Sequence, residues 1–98
     1  MCGIVALVGS QPAATQLLEG LRQLEYRGYD SAGLATVTSE GQLTCLRAKG
    51  TPVNLSQRVE AQGAPGQCGI GHTRWATHGK PEERNAHPHR SVDGGVAV

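Results

Sequence analysis

The feature that most constrains the fold is a series of short apolar runs, several of them bounded by glycine-rich turns. Runs of this length predict β-strands that are at least half buried, because a buried helix needs a longer stretch. The predicted strands cover residues 2–8, 32–38, 42–48, 68–74 and 94–98. The chain has 14 glycines and no phenylalanine among its 98 residues, which favours tight turns and close backbone contacts over large aromatic core residues.

Two amphipathic helices are predicted between these strands. The first begins near Pro12, which suits the first turn of a helix, and ends at Gly28. The second begins at Pro52 and ends near Gly63. Strands that alternate with helices, with one hairpin whose turn is at residues 40–41, indicate an α+β or layered α/β fold. The final apolar run has no cap or polar tail after it, so we expect the front part of a larger domain.

Charge and cysteine content limit the possible partners. Nine basic and eight acidic residues are spread along the chain and give a net charge of +1. Without a basic block we expect neither a nucleic-acid partner nor a membrane partner. The run at residues 4–8 is too short to span a bilayer and lacks the features of a signal peptide. Three cysteines without a CxxC pair argue against a disulfide framework, so we expect a cytoplasmic protein.

The start of the chain carries the first candidate for chemistry. If Met1 is removed, Cys2 holds a thiol and a free α-amine on one residue. A reference α-amine has a pKa of about 7.7–8.0 and can act as a base near neutral pH. A thiol beside a base is an activated nucleophile. Gly3 is expected to leave room for a substrate. The alternative interpretation is that Cys2 is an ordinary apolar residue at the start of a strand.

A second candidate is the polar cluster GIGHTRWATHG at residues 69–79. Arg74 can bind a carboxylate through two parallel hydrogen bonds. The other interpretation is an edge strand with a surface ion pair and Trp75 as a core residue. The polar side chains that this strand and its loop bring together are His72, Arg74, Thr77 and His78.

Two further segments are weaker candidates. LEYRGYDSAGLA, residues 24–35, is an ordinary helix-to-strand connection unless its turn lies against Cys2, which the predicted topology favours. A metal site is a further alternative, but no cysteine or carboxylate stands at a familiar ligand spacing, and we expect no metal. The histidines that such a site would use are His72, His78, His87 and His89.

Four motifs in order, MCGIV, LEYRGYDSAGLA, HTRWATHG and NAHPH, resemble the amino-terminal glutaminase domain of the glutamine–fructose-6-phosphate aminotransferase family. The likeness covers nearly the whole chain. Related class II glutamine amidotransferases that use phosphoribosyl pyrophosphate carry HRGQ where this chain has YRGYD, and RYST where it has RWAT. These differences favour the sugar-phosphate family, and a phosphoribosyl-pyrophosphate amidotransferase stays an alternative.

The resemblance implies an N-terminal-nucleophile hydrolase fold, an αββα sandwich, of which residues 1–98 are the amino-terminal portion, incomplete at its C-terminal end. It implies that Met1 is removed and that Cys2 attacks the side-chain amide of L-glutamine without a cofactor. By the same resemblance Arg74 takes the α-carboxylate, and Trp75 gates the path of ammonia. The remaining implied positions are Thr77 and His78, which hold the polar end of the amino acid, and Arg27, which borders the pocket.

The resemblance also implies a larger parent enzyme. That parent would convert fructose 6-phosphate and glutamine to glucosamine 6-phosphate and glutamate in amino-sugar biosynthesis, as a homo-oligomer. Its sugar isomerase domain is absent here, and the Asn-Gly pair of the oxyanion hole and a substrate-binding Asp are expected after Val98. Since one oxyanion donor is worth about 10²–10³ in rate, these 98 residues alone are expected to be nearly inert. The alternative is an inert fragment or a module that only binds glutamine.

Overall fold

The computed structural model describes residues 2–98, in which two helices pack on one face of a four-stranded antiparallel sheet. The strand order is β1-β4-β2-β3, so the strand that comes last in the chain lies between β1 and β2. Neither helix of residues 2–98 is long and apolar enough to cross a membrane. In chain order the elements are β1 (Gly3–Val8), α1 (Ala13–Gln23), β2 (Ser31–Val37), β3 (Leu43–Lys49), α2 (Pro52–Gln62) and β4 (Cys68–Arg74).

The observed elements confirm both predicted helices and the first four predicted strands, with strand ends shifted by at most one residue. The first helix ends earlier than predicted, and a turn of 3-10 helix at Glu25–Arg27 carries the chain on to Gly28. The prediction of a sheet strand at residues 94–98 is wrong. There the chain folds back on itself, and Val98 and His89 exchange backbone hydrogen bonds of 2.7 and 2.9 Å. This local pairing satisfies the backbone groups that a strand would offer to the sheet.

The core lies between the helices and the sheet. Leu17 and Leu21 of α1 and Leu55 of α2 are fully buried. Burying each leucine side chain contributes about 1.5–3 kcal/mol. Helix α1 lies close over β4 because that strand carries glycines where it passes beneath the helix. A Cβ atom at Gly69 would lie 2.8 Å from Leu17, and one at Gly71 would lie 3.1 Å from Leu21. This close contact brings the end of α1 to the Arg74 end of β4.

The opposite face of the sheet is crossed by residues 86–89. A Cβ atom at Gly33 of β2 would overlap the carbonyl group of His87, so the crossing backbone lies directly on the sheet. From β3, Cys45 and Arg47 donate to backbone carbonyls of the crossing segment at 3.6 and 3.2 Å. Residues 2–98 therefore supply one sheet and one helix layer of the sandwich that the resemblance implies.

Candidate active site

The strand order brings three distant parts of the sequence to one end of the sheet. Gly3 of β1 lies opposite Thr73 of β4, and the Gly3 N–H donates to the Thr73 hydroxyl at 3.1 Å. Strand β2 pairs with the other side of β4. Cys2 and Asp30, the residues just before β1 and β2, therefore flank the end of β4 at Arg74. The turn before β2 lies near Cys2, as the sequence predicts.

Cys2 is exposed and accepts two hydrogen bonds, one at its sulfur and one at its backbone carbonyl. The Trp75 backbone N–H donates to the Cys2 sulfur at 3.5 Å. The Arg27 Nε atom donates to the Cys2 carbonyl at 3.5 Å, which places Arg27 at the edge of this site. The two contacts fix the position of Cys2 beside the end of β4.

The expectation that Gly3 leaves room for a substrate is wrong. A Cβ atom at Gly3 would lie 2.8 Å from the Cβ atom of Leu24 and 2.8 Å from the Thr73 hydroxyl. Glycine is needed here because the end of α1 and strand β4 approach the backbone closely.

The segment Trp75–Lys80, which we call the site loop, is fixed at its start by Asp30. One carboxylate oxygen of Asp30 accepts the Ala76 N–H at 2.7 Å, and the Asp30 N–H donates to the Arg74 carbonyl at 3.2 Å. A Cβ atom at Gly28 would lie 2.7 Å from the Arg74 carbonyl carbon, so the two backbones touch. The sequence identifies Asp30 only as a turn residue. Its contact with the loop depends on β2 and β4 being neighbours, which no local signal reveals.

Arg74 is buried, with 8% of its surface exposed, and its guanidinium group binds the site loop. Nη1 donates to the Lys80 carbonyl at 3.0 Å, and Nη2 donates to the His78 carbonyl. The sequence does not foresee this use of the side chain. A guanidinium has five N–H groups, so others are left for a carboxylate. The role of Arg74 toward a substrate stays a prediction.

The remaining predicted site residues lie on the site loop with their side chains open to solvent. The Trp75 indole is 45% exposed and contacts the Tyr29 ring at a centroid distance of 6.1 Å. Thr77 and His78 are exposed as well. The structure thus brings all six predicted residues to one end of the sheet, namely Cys2, Arg27, Arg74, Trp75, Thr77 and His78.

Three of the four histidines form a separate cluster on the crossed face of the sheet. The His72 and His87 rings stack at 4.3 Å, and His89 meets His87 edge-on at 4.3 Å. Within residues 2–98, no group of three or more histidine, cysteine or acidic side chains is arranged to hold a metal ion. Burial, followed by the charges of His87 and His89, lowers the pKa of His72 to about 4. Burial also lowers the pKa of His87, with smaller contributions from His89 and Arg74.

These lowered pKa values predict a fold that weakens in mild acid. Below pH 6.5 the unfolded chain binds a proton at His72 that the folded chain does not bind until about pH 4. The free energy of unfolding should therefore fall as the pH drops through this window. We expect a loss of about 1–2 kcal/mol from His72, since one pKa unit is worth about 1.4 kcal/mol and solvent screens a half-buried ring.

Urea denaturation at pH 7 and pH 4.5 measures this loss. His72→Gln should reduce the difference between the two pH values, and His78→Gln, which removes an exposed imidazole, should leave it as it is. Equal pH dependence in the wild type and His72→Gln would contradict the assignment.

Comparison with known proteins shows which proteins this chain is similar to in sequence. No protein-family model matches the chain. The chain is 61% identical over 98 residues to glutamine–fructose-6-phosphate aminotransferase (isomerizing) of Thermosynechococcus vestitus, covering all of this chain and 16% of that protein. It is 58% identical over 98 residues to the enzyme of the same name from Synechocystis, covering all of this chain and 15% of that protein. The chain spans about a sixth of the length of these curated relatives.

The fold comparison finds a similar fold in a solved amidotransferase. Glutamine phosphoribosylpyrophosphate amidotransferase from B. subtilis, solved with ADP and GMP, superposes with a TM-score of 0.76 at 26% identity. The match covers 95% of this chain and 20% of the B. subtilis chain. By sequence this chain is similar to the amino-terminal part of glutamine–fructose-6-phosphate aminotransferase, and its fold matches that of N-terminal-nucleophile amidotransferases.

Proposed function

We propose that residues 1–98 form the amino-terminal portion of a glutaminase domain that releases ammonia from L-glutamine, with Cys2 as the nucleophile. The observation that carries this proposal is the position of the Cys2 thiol. It is exposed at the end of the sheet and accepts the Trp75 N–H at 3.5 Å, beside the loop that holds the other polar side chains. Removal of Met1 is part of the proposal, and Met1 lies outside the described residues.

The reaction needs only the thiol, an amine base and water. The α-amine of Cys2 takes the thiol proton as sulfur bonds to the amide carbon of glutamine. The amine then gives the proton to the departing nitrogen, the carbon–nitrogen bond breaks, and ammonia leaves a thioester on Cys2. Water, deprotonated by the same amine, attacks the thioester carbon, and the carbon–sulfur bond breaks to give glutamate and the free thiol. No redox or metal cofactor enters these steps.

The site loop supplies recognition of the amino acid. In the proposal the Arg74 guanidinium binds the α-carboxylate through N–H groups that the loop carbonyls do not use. Thr77 and His78, both exposed on the same loop, hold the polar end of the substrate. Arg27 borders the pocket beside the Cys2 carbonyl, and Trp75 covers the route by which ammonia leaves.

We further propose that the ammonia is used to form glucosamine 6-phosphate from fructose 6-phosphate in a cytoplasmic, homo-oligomeric parent enzyme. We name fructose 6-phosphate as the acceptor of ammonia on the basis of sequence identity. Relatives named for fructose 6-phosphate are 61% and 58% identical, against 26% for the amidotransferase named for phosphoribosyl pyrophosphate. The cytoplasm is proposed because three cysteines without a CxxC pair predict no disulfide framework.

An electrophilic glutamine analogue, a diazo ketone in place of the side-chain amide, tests the nucleophile. The Cys2 thiol gives its proton to the diazo carbon, and the sulfur then displaces dinitrogen from that carbon. The analogue stays attached to Cys2 through a thioether bond. In the full-length protein we expect fast labelling of Cys2, because within residues 2–98 this is the one thiol beside the site loop. Peptide mass spectrometry locates the label, and Cys45 and Cys68 serve as internal controls.

Two controls make the outcome specific. The D-enantiomer of the analogue should label Cys2 much more slowly, because the site loop recognises the L-amino acid. Cys2→Ala should leave the protein unlabelled. Labelling that is absent, or that spreads equally over the three cysteines, would show that no glutaminase pocket is formed and would favour an inert or glutamine-binding module.

A further inference from the structure

We propose that Asn85 is a positioning residue for the site loop, an inference that rests on the proposed function of that loop. The Asn85 side-chain Nδ2 donates to the Lys80 carbonyl at 3.0 Å. The same carbonyl accepts Nη1 of Arg74, also at 3.0 Å. One backbone oxygen at the far end of the site loop therefore receives both an amide and a guanidinium donor.

Both donors also lie close to the residue before Lys80. A Cβ atom at Gly79 would lie 3.2 Å from Asn85 Nδ2 and 3.5 Å from Arg74 Nη2. Gly79 thus lies next to both the amide of Asn85 and the guanidinium of Arg74. If the Asn85 amide is removed, Arg74 is the one described side chain that still binds the Lys80 carbonyl. A shift of that carbonyl then moves the guanidinium with it.

Asn85 can serve as an anchor because its own backbone is tied to other parts of the fold. It ends a single 3-10 turn, Glu83–Asn85, whose first residue forms two parallel ion-pair bonds with Arg58 of α2 at 2.9 and 2.7 Å. The next residue, Ala86, is fully buried and accepts a hydrogen bond from Arg47 of β3 at 3.2 Å. The turn is therefore connected to α2 and β3, and the Asn85 amide connects both to the loop.

This arrangement predicts an effect on glutamine binding and little effect on the thiol. Asp30 holds the start of the loop through Ala76, and the Trp75 N–H contact with Cys2 lies at that end. Loss of Asn85 leaves the Lys80 end held by Arg74 alone among the described side chains, so the loop end and the guanidinium can shift together. The group misplaced is a substrate-binding group, so KM should change more than kcat.

The test compares Asn85→Ala with Gln67→Ala in the full-length protein. Gln67 makes the same type of bond, from Nε2 to the Ser10 carbonyl at 3.1 Å, at the opposite end of β4. The two variants should lower the melting temperature by similar amounts. We expect Asn85→Ala to raise KM for glutamine roughly tenfold or more, with kcat changed by less than about threefold. Gln67→Ala should leave both constants unchanged.

A second measurement does not depend on activity. Hydrogen exchange, resolved by peptide, should become faster across Trp75–Lys80 in Asn85→Ala and stay unchanged there in Gln67→Ala. Asn85→Leu, which keeps the shape and removes the donor, should behave like Asn85→Ala and replaces it if that variant does not fold. Unchanged loop exchange in both Asn85 variants overturns the inference. If the wild type neither hydrolyses glutamine nor reacts with the diazo ketone, the proposed function fails, and loop exchange still decides the role of Asn85.

Discussion

One additional residue in front of Cys2 is expected to lower glutamine hydrolysis by about 10²–10⁴-fold, the usual contribution of a positioned general base. The added residue locks the α-amine in a peptide bond, and an amide nitrogen cannot accept the thiol proton. The fold should tolerate the addition because Cys2 is exposed and precedes β1. Glutamate release by the full-length protein measures the loss.

The matched control restores the free amine in the same protein. An extension that ends in a protease site is cut so that Cys2 again becomes the first residue, and activity should return. Iodoacetamide should alkylate Cys2 in the extended and in the cleaved protein, since a small electrophile needs only an accessible thiol. Full activity in the extended protein would mean that another group serves as the base and that the proposed mechanism is wrong.

Gly33→Ala is expected to destabilise the fold by about 2–3 kcal/mol, because a side chain there has no space. Its Cβ atom would overlap the His87 carbonyl, a backbone group that cannot rotate away as a side chain can. The segment 86–89 must lift from the sheet, which breaks the contacts that Cys45 and Arg47 make with it. The midpoint of urea unfolding measures the change in stability.

Gly9→Ala is the matched control for this substitution. A Cβ atom at Gly9 meets no heavy atom within 4 Å, so the same change of residue adds a methyl group in open space. Its effect on the urea midpoint should be small. Equal effects of the two substitutions would show that residues 86–89 do not lie on the sheet as described.

Local patterns were enough to predict both helices and the four strands of the sheet, but not how these elements are arranged. The leucines at Leu17 and Leu21 repeat with the period of a helix, and both prove fully buried on the sheet side of α1. The run at residues 94–98 has the same composition as a strand, yet its backbone pairs with residues 89–91. That outcome depends on the nearby turn at Gly94, which has a φ of 74°. Apolar patterning cannot distinguish a sheet strand from such a local return of the chain.

For the candidate site, the sequence identified the side chains that carry chemistry but missed the residues that hold the site loop in place. Cys2, Arg74 and Trp75 stand out as residue types that carry chemistry, and the structure places them together. Asp30 and Asn85 are polar residues in turns, a common use of these residue types. Their bonds to the site loop follow from neighbours that are distant in sequence, so they became visible only in three dimensions.

The central position of β4 has a consequence for how the molecule assembles. Strand β1 has no direct pairing with β2, and the bond that joins Gly3 to Thr73 closes a loop of 70 residues. Contacts of such long separation form late because the entropy of closing the chain must be offset first. During synthesis the thiol leaves the ribosome well before its partner strand exists. The contact between the Cys2 sulfur and the Trp75 N–H therefore forms when β4 takes its place in the sheet.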